Sequence, residues 1–222
     1  MLSILVGIFP GVVFSIIIFL LDKHRKNLRI PLLLATFIGG CISSYLCYRL
    51  EWHFGSYFKK VAESNLFEVF FYALFRVAIF EEGSKLFFAL VFMLLNKVRE
   101  KTNIITYTVV SSCGFLVFEN AAFYSAKYGL NTAIHRLFTA SPSHVCFAII
   151  MGYILCMIKS KDIKNIWILG LAFLVPSIMH AIYNTFLYQH IVSLYIYTYS
   201  YLIVVVAISV RVVYKVFFKE NN

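Results

Sequence analysis

Charge is scarce in this chain. Of 222 residues, 20 are Lys or Arg and only 10 are Asp or Glu, so 14% are charged against the ~25% usual in soluble domains. Hydrophobic residues make up 61%, and mean hydropathy is +0.83. So little polar surface cannot cover a globule in water, which excludes soluble and disordered classes. Paired cysteines are missing too. The five cysteines (Cys41, Cys47, Cys113, Cys146 and Cys156) form no CxxC pair and all lie within apolar runs. An odd count in such positions excludes a disulfide framework or a thiolate metal site and reads as small packing residues. No HExxH helix, low-complexity tract, repeat or domain boundary is present, so residues 1–222 read as a single integral-membrane domain.

What is there is a succession of long apolar runs. They predict an all-α, polytopic transmembrane bundle of about seven spans, at 2–21, 30–50, 77–95, 104–125, 137–158, 166–187 and 191–210. The first run has no basic segment before it and no small-residue cleavage site, so it reads as an uncleaved helix rather than a secretion signal. The third begins its apolar character at Leu66, and a helix from there to Leu95 would be about 45 Å long against a hydrocarbon core of about 30 Å. Arg76 and Glu68 place its first part at the interface, with Arg76 snorkelling to headgroups.

The net charge of +10 sits between the apolar runs, where it marks membrane topology rather than a nucleic-acid surface. Segments 22–29, 96–103, 159–165 and the tail from Arg211 hold thirteen Lys and Arg, and the intervening loops 49–65 and 127–136 hold five. The positive-inside rule then predicts an outside N-terminus and a cytoplasmic C-terminus in a multi-pass protein of the cell membrane, whose constant partner is the lipid bilayer.

Against this apolar background six ionisable residues stand out: Glu81, Glu82, Lys85, Glu119, His144 and His180, accompanied by Asn120 and Asn184. Each such group costs about 2.5–3.5 kcal/mol or more inside a bilayer, so each implies a partner or a function. Glu81 and Lys85 lie one helical turn apart in the favourable order. One lysine cannot neutralise two carboxylates, so a second acid must be protonated, bind a cation or hold a water. At 1.5 Å per residue, the acids and imidazoles of four predicted spans fall about 8–11 Å below the outer boundary. That common level predicts one convergent site opening to the extracytoplasmic side.

Two chemistries suit glutamates beside histidines. A carboxylate can act as general base on water while histidine or asparagine donors stabilise an oxyanion. Alternatively Glu119, His144 and His180 could ligate zinc, with Glu81 or Glu82 as base. A proton-coupled transporter using the groups as a relay is the competing class. Transporters usually show repeats and broken helices at midplane, and neither feature is visible here.

The runs Glu81-Glu82-Gly83-Ser84-Lys85, Phe118-Glu119-Asn120 with Tyr124, Arg136 leading to His144, and His180 with Asn184 resemble, in order and spacing, the blocks of the PrsW family of intramembrane proteases. The resemblance covers essentially the whole chain and extends more distantly to the CAAX-prenyl-protease and bacteriocin-processing membrane enzymes. It implies a membrane-embedded peptidase making a first, extracytoplasmic cut in a single-pass membrane protein such as an anti-sigma factor. It assigns catalytic importance to Glu81, Glu82, Glu119, His144 and His180, with Lys85, Asn120 and Asn184 in support. Asn184 stands where the better-known pattern carries Asp, and an amide can orient an imidazole or donate to an oxyanion but cannot be a base. Zinc and metal-free glutamate mechanisms both fit the residues at this point.

Overall fold

Among the described residues, six stretches are long and apolar enough to cross a membrane: Leu2–Leu21, Ile30–Leu50, Lys101–Ala122, Ala126–Leu155, Asn165–Tyr188 and Ile196–Lys219. The computed structural model describes residues 1–61, 65–158, 164–188 and 192–219, and every regular element among them is helical. In chain order these are α1 (Leu2–Leu21), α2 (Ile30–Val61), α3 (Leu66–Tyr72), α4 (Ile79–Leu95), α5 (Lys101–Phe118), α6 (Ala126–Phe138), α7 (Ala140–Leu155), α8 (Lys164–Tyr188) and α9 (Val192–Val213). Basic residues 159–163, part of loop 49–65, and the turn at 189–191 where the last span was predicted to begin lie outside the described residues.

The predicted third crossing is α4, joined to α3 by a π-helical turn, Ala73–Ala78. With 17 residues carrying Glu81, Glu82 and Lys85, α4 is too short and too charged to stand among the six. The loop predicted over 127–136 is instead a helix, α6. It is kinked at Gly129, whose φ of 83° lies in the left-handed region, and it ends at Thr139, where φ −122° and ψ −76° leave the helix before α7 begins. Lys127, Asn131, Thr132, His135 and Arg136 interrupt α6, so by itself it carries no continuous apolar run.

Helix α5 is the post around which the others stand. From Thr102 to Leu116 nearly every side chain is buried, including Thr106, Thr108, Ser111 and Ser112. Its neighbour α2 approaches so closely that a Cβ on Gly40 would strike the Ser111 carbonyl, and one on Gly114 the Phe37 carbonyl. Small residues at a membrane helix interface permit this close approach. Ser111 Oγ donates to the Lys85 carbonyl of α4 at 2.8 Å, and Ser112 Oγ to the His144 carbonyl of α7 at 3.0 Å. Two adjacent serines therefore set α4 and α7 in register. The outer helices α1, α8 and α9 turn Leu5, Phe9, Leu20, Trp167, Leu171 and Ile203 outward, a rim suited to lipid tails.

The basic segments gather at one end of the bundle. Asn96 Nδ2 donates to the Asn27 carbonyl at 3.2 Å, joining segments 22–29 and 96–103. Buried Asp22 accepts from Thr106 Oγ1 at 2.8 Å and, with the Asn103 amide turned nitrogen-inward, from that side chain at 2.8 and 3.1 Å. The polar residues of the candidate site lie near the other end, on the opposite termini of the same helices.

Candidate active site

Four helices bring the acids and imidazoles together. Glu81, Glu82 and Lys85 come from the first turns of α4, just beyond the π turn 73–78. Glu119 opens a second π turn, Glu119–Ser125, at the end of α5. A π turn inserts an extra residue, which re-aims the side chains that follow, and such turns recur at functional sites. His144 lies in the second turn of α7, and His180 and Asn184 share a face near the end of α8.

Lys85 is the hub. Its ammonium lies 2.8 Å from Glu82 Oε1, 3.4 Å from Glu81 Oε2 and 2.9 Å from His144 Nδ1, and 4.0 Å from the centre of the Phe115 ring. His180 Nδ1 lies 2.8 Å from Glu82 Oε1. On the far side of His144, Nε2 lies 3.1 Å from Glu119 Oε2, which is also 2.7 Å from Arg136 Nη2. Arg136 continues the chain, its Nε donating to Asn120 Oδ1 at 2.6 Å, with its guanidinium 3.7 Å above the Tyr124 ring. Asn120 in turn donates to Ser141 Oγ at 3.1 Å.

The network assigns the imidazole protons. An ammonium can only donate, so His144 Nδ1 accepts and its proton sits on Nε2, facing the Glu119 carboxylate. An ionised Glu82 can only accept, so the His180 proton sits on Nδ1. Nε2 is then the nitrogen His180 has left to offer, and no side chain among the described residues bonds it.

Glu81, Glu119, Arg136, His144 and His180 border a cavity of about 270 Å³ also lined by Ser44, Tyr48, Tyr124, Tyr183 and Asn184. Glu82 is fully buried, Lys85 is 1% exposed, and His144 and His180 are 3% exposed. Three carboxylates against Lys85 and Arg136 leave a formal charge of −1 when both imidazoles are neutral, so the site holds room for a further positive charge. Glu82 Oε2 is buried without a partner among the described residues. One donor atom each from Glu81, Glu82, His144 and His180 lies within 4.8 Å of the others. Two imidazoles, an unpaired carboxylate oxygen and a negative balance fit a zinc ion.

The structure thus brings all of Glu81, Glu82, Lys85, Glu119, His144 and His180 into one connected network. Glu119 lies outside the tight four-residue set, beyond His144 and tied to Arg136. Asn120, expected to serve an imidazole or a substrate carbonyl, is engaged by Arg136 and Ser141 instead. Asn184 lines the cavity, with no hydrogen bond from its side chain among the described residues. Arg136 counts among the loop charges and opens the block leading to His144, but the sequence gives it no role in the site, where it is the partner of Glu119. Ser111 and Ser112 carry no signal in the sequence beyond being small residues of an apolar helix.

A multi-pass helical bundle that sinks carboxylates and imidazoles into a polar cavity below one end has the form of a membrane-embedded hydrolase. Comparison with known proteins makes the class specific. The model of the PrsW family intramembrane metalloproteases matches residues 29–210. The chain is 33% identical over 189 residues to Protease PrsW of Oceanobacillus iheyensis, covering 83% of this chain and 82% of that one. It is 29% identical to Protease PrsW of Clostridioides difficile over 75% of this chain and 72% of that one. The corresponding figures for Protease PrsW of Geobacillus kaustophilus are 26%, 80% and 76%. No solved structure matches. The chain belongs to the PrsW family and is a membrane-embedded peptidase.

Proposed function

We propose that this peptidase cuts a single-pass membrane protein, such as an anti-sigma factor, close to the extracytoplasmic face, with Glu81 as the base that activates water. The observation that carries the proposal is the convergence of Glu81, Glu82, His144 and His180 on one another, three of them lining a single cavity with Glu82 buried behind, at the end of the bundle opposite the basic segments. Under the positive-inside rule the basic end faces the cytoplasm. With α4 as a seventh crossing, the N-terminus lies outside, and the cavity opens toward the outer face of the cell membrane.

The metal that the family description names would be held by Glu82, His144 and His180. It would supply Lewis-acid polarisation of the scissile carbonyl and a more acidic bound water. Glu81, which lines the cavity, takes a proton from water as the oxygen adds to the carbonyl carbon. The negative charge that develops on the carbonyl oxygen is met by the Asn184 amide, whose N–H groups have no partner among the described residues. As the carbon–nitrogen bond breaks, Glu81 returns its proton to the departing amine, so the enzyme ends as it began. Glu119 and Arg136 hold His144 from behind, and Lys85 holds the two acids of α4. Family membership supports this reading over a proton relay.

The test is co-expression with candidate single-pass proteins, comparing the wild type with Glu81→Gln, which keeps the shape of the side chain and removes the base. The wild type should release a truncated product and the variant should not. Cleavage by Glu81→Gln at a near wild-type rate would overturn the assignment.

A further inference from the structure

The far end of the bundle carries a second recess that the proteolytic site does not use. Beyond α9 the chain makes a π-helical turn, Tyr214–Lys219. Val216 and Phe217 from this turn are buried in the same core as Ile105 and Leu155. That clamp leaves the opposite side of the segment outward. Arg211, Lys215 and Lys219 are all exposed and, with Tyr153 and Tyr214, line a recess of about 740 Å³ between the ends of α7 and α9. No carboxylate among the described residues lines it. Lys215 Nζ donates to Tyr153 Oη at 2.9 Å, which fixes one of the cations in place.

Tyr214 also borders an apolar groove of about 370 Å³, lined by Ile17 of α1, Val145 and Ile149 of α7, and Val210 and Val213 of α9. A basic recess at a helix end and an apolar groove along the same helix therefore meet at one tyrosine. Arg211, Lys215 and Lys219 thus set three cationic groups around one recess. Basic pockets between membrane helices suit lipid phosphate groups.

We propose that this recess binds the phosphate of an anionic phospholipid, with Arg211, Lys215 and Lys219 around the headgroup and an acyl chain along the groove beside Tyr214. A diester phosphate supplies acceptor oxygens to the two ammonium groups and the guanidinium. A tethered hydrocarbon chain fills a groove that a free phosphate would leave to detergent. The site is remote from the Glu81 cavity, so it stands or falls independently of the proteolytic reading.

The experiment uses the purified full chain in neutral detergent, with phosphatidylglycerol, phosphatidylcholine of the same acyl chains, or inorganic phosphate added. Bound lipid is read by native mass spectrometry, and stability by thermal melting. Phosphatidylglycerol should be retained and should raise the melting temperature, whereas phosphatidylcholine and inorganic phosphate should do neither. Arg211→Gln should weaken retention about fivefold, and the triple Arg211→Gln, Lys215→Gln, Lys219→Gln variant on the order of a hundredfold, at about one charge's worth of attraction per cation. Equal retention of phosphatidylcholine would overturn the proposal, as would a triple variant that melts normally and still holds phosphatidylglycerol like the wild type. Stabilisation by inorganic phosphate alone would assign the recess to a free phosphoanion and overturn the lipid reading. Should the triple variant fail to fold, the single Arg211→Gln variant decides, and undiminished retention there counts against the site.

Discussion

The Lys85 ammonium lies 2.9 Å from Nδ1 of His144 and within 3.4 Å of both α4 carboxylates, so a built-in cation occupies the ground between the donors that would hold a metal. A divalent ion and an ammonium repel at such range. Zinc binding at Glu82, His144 and His180 therefore requires Lys85 to give way. Lys85→Met should bind zinc more tightly than the wild type, as measured by competition with a fluorescent chelator on purified protein. Its metal-free form should also melt lower, because removing one partner of a buried ion pair costs about 3–5 kcal/mol. Zinc should restore much of that loss. Equal zinc affinity in the two proteins would show that Lys85 does not compete.

Glu119 acts from behind His144. Its Oε2 lies 3.1 Å from Nε2 of that imidazole and 2.7 Å from Arg136 Nη2, which makes it both the orienting group of one and the counter-ion of the other. The two duties separate by mutation. Glu119→Gln should destabilise strongly, because it leaves the Arg136 guanidinium uncompensated. The double variant Glu119→Gln, Arg136→Met removes both charges and should recover most of that stability. Cleavage should stay depressed in both, because His144 has lost its carboxylate. Thermal melting and product formation on the three proteins distinguish these outcomes. Recovery of activity along with stability would mean that Glu119 serves only to neutralise Arg136.

The packing of α2 on α5 makes a sharper prediction about stability. Gly114→Ala places a methyl group against the Phe37 carbonyl, and Gly40→Ala places one against the Ser111 carbonyl. Backbone cannot move aside as a flexible side chain can, so each should cost about 1–3 kcal/mol. Gly170→Ala on α8 meets nothing within 4 Å and should be neutral or slightly stabilising, since Ala is the better helix former. Reversible unfolding in mixed micelles measures all three. The Gly114 change should also lower activity, because Ser111 and Ser112 on the same stretch of α5 anchor the backbones of Lys85 and His144.

The acidic step of α4 was legible because helical spacing alone puts Lys85 in reach of Glu81 and Glu82, and the bilayer makes their presence expensive. Counting residues inward from the loops pointed to Glu119, His144 and His180 meeting, and the contacts among them and Lys85 and Glu82 bring them together. Two kinds of feature could not be read this way. Uniform 3.6-residue spacing hides the π turns at 73–78 and 119–125, which re-aim side chains without changing composition. Arg136 was legible as the start of the block leading to His144, but not as the counter-ion of Glu119, because α6 bends at Gly129. Only the folded chain shows that its guanidinium reaches Glu119 instead of solvent. The proposed zinc set differs from Glu119, His144 and His180 for a related reason. Glu119 and His144 are near each other, but Arg136 claims the carboxylate, leaving Glu82 as the acid with an open oxygen.

Asn184 offers the cleanest separation of catalysis from folding. It borders the cavity on the same face as His180, and its amide has no hydrogen-bond partner among the described residues, so the fold does not depend on it. Removing a donor that meets the developing oxyanion typically costs 10²–10³ in kcat. Asn184→Ala should therefore lower kcat by about that factor, with KM and melting temperature nearly unchanged. Asn184→Asp keeps the shape but replaces the N–H donors with an anion, so it should be at least as impaired if the residue donates to substrate. If the residue instead orients His180 by accepting from Nε2 when that imidazole carries both protons, Asp should preserve activity while Ala abolishes it. The order of the two variants in a cleavage assay, read beside their melting curves, decides between a group that touches the reacting carbonyl and one that positions the imidazole.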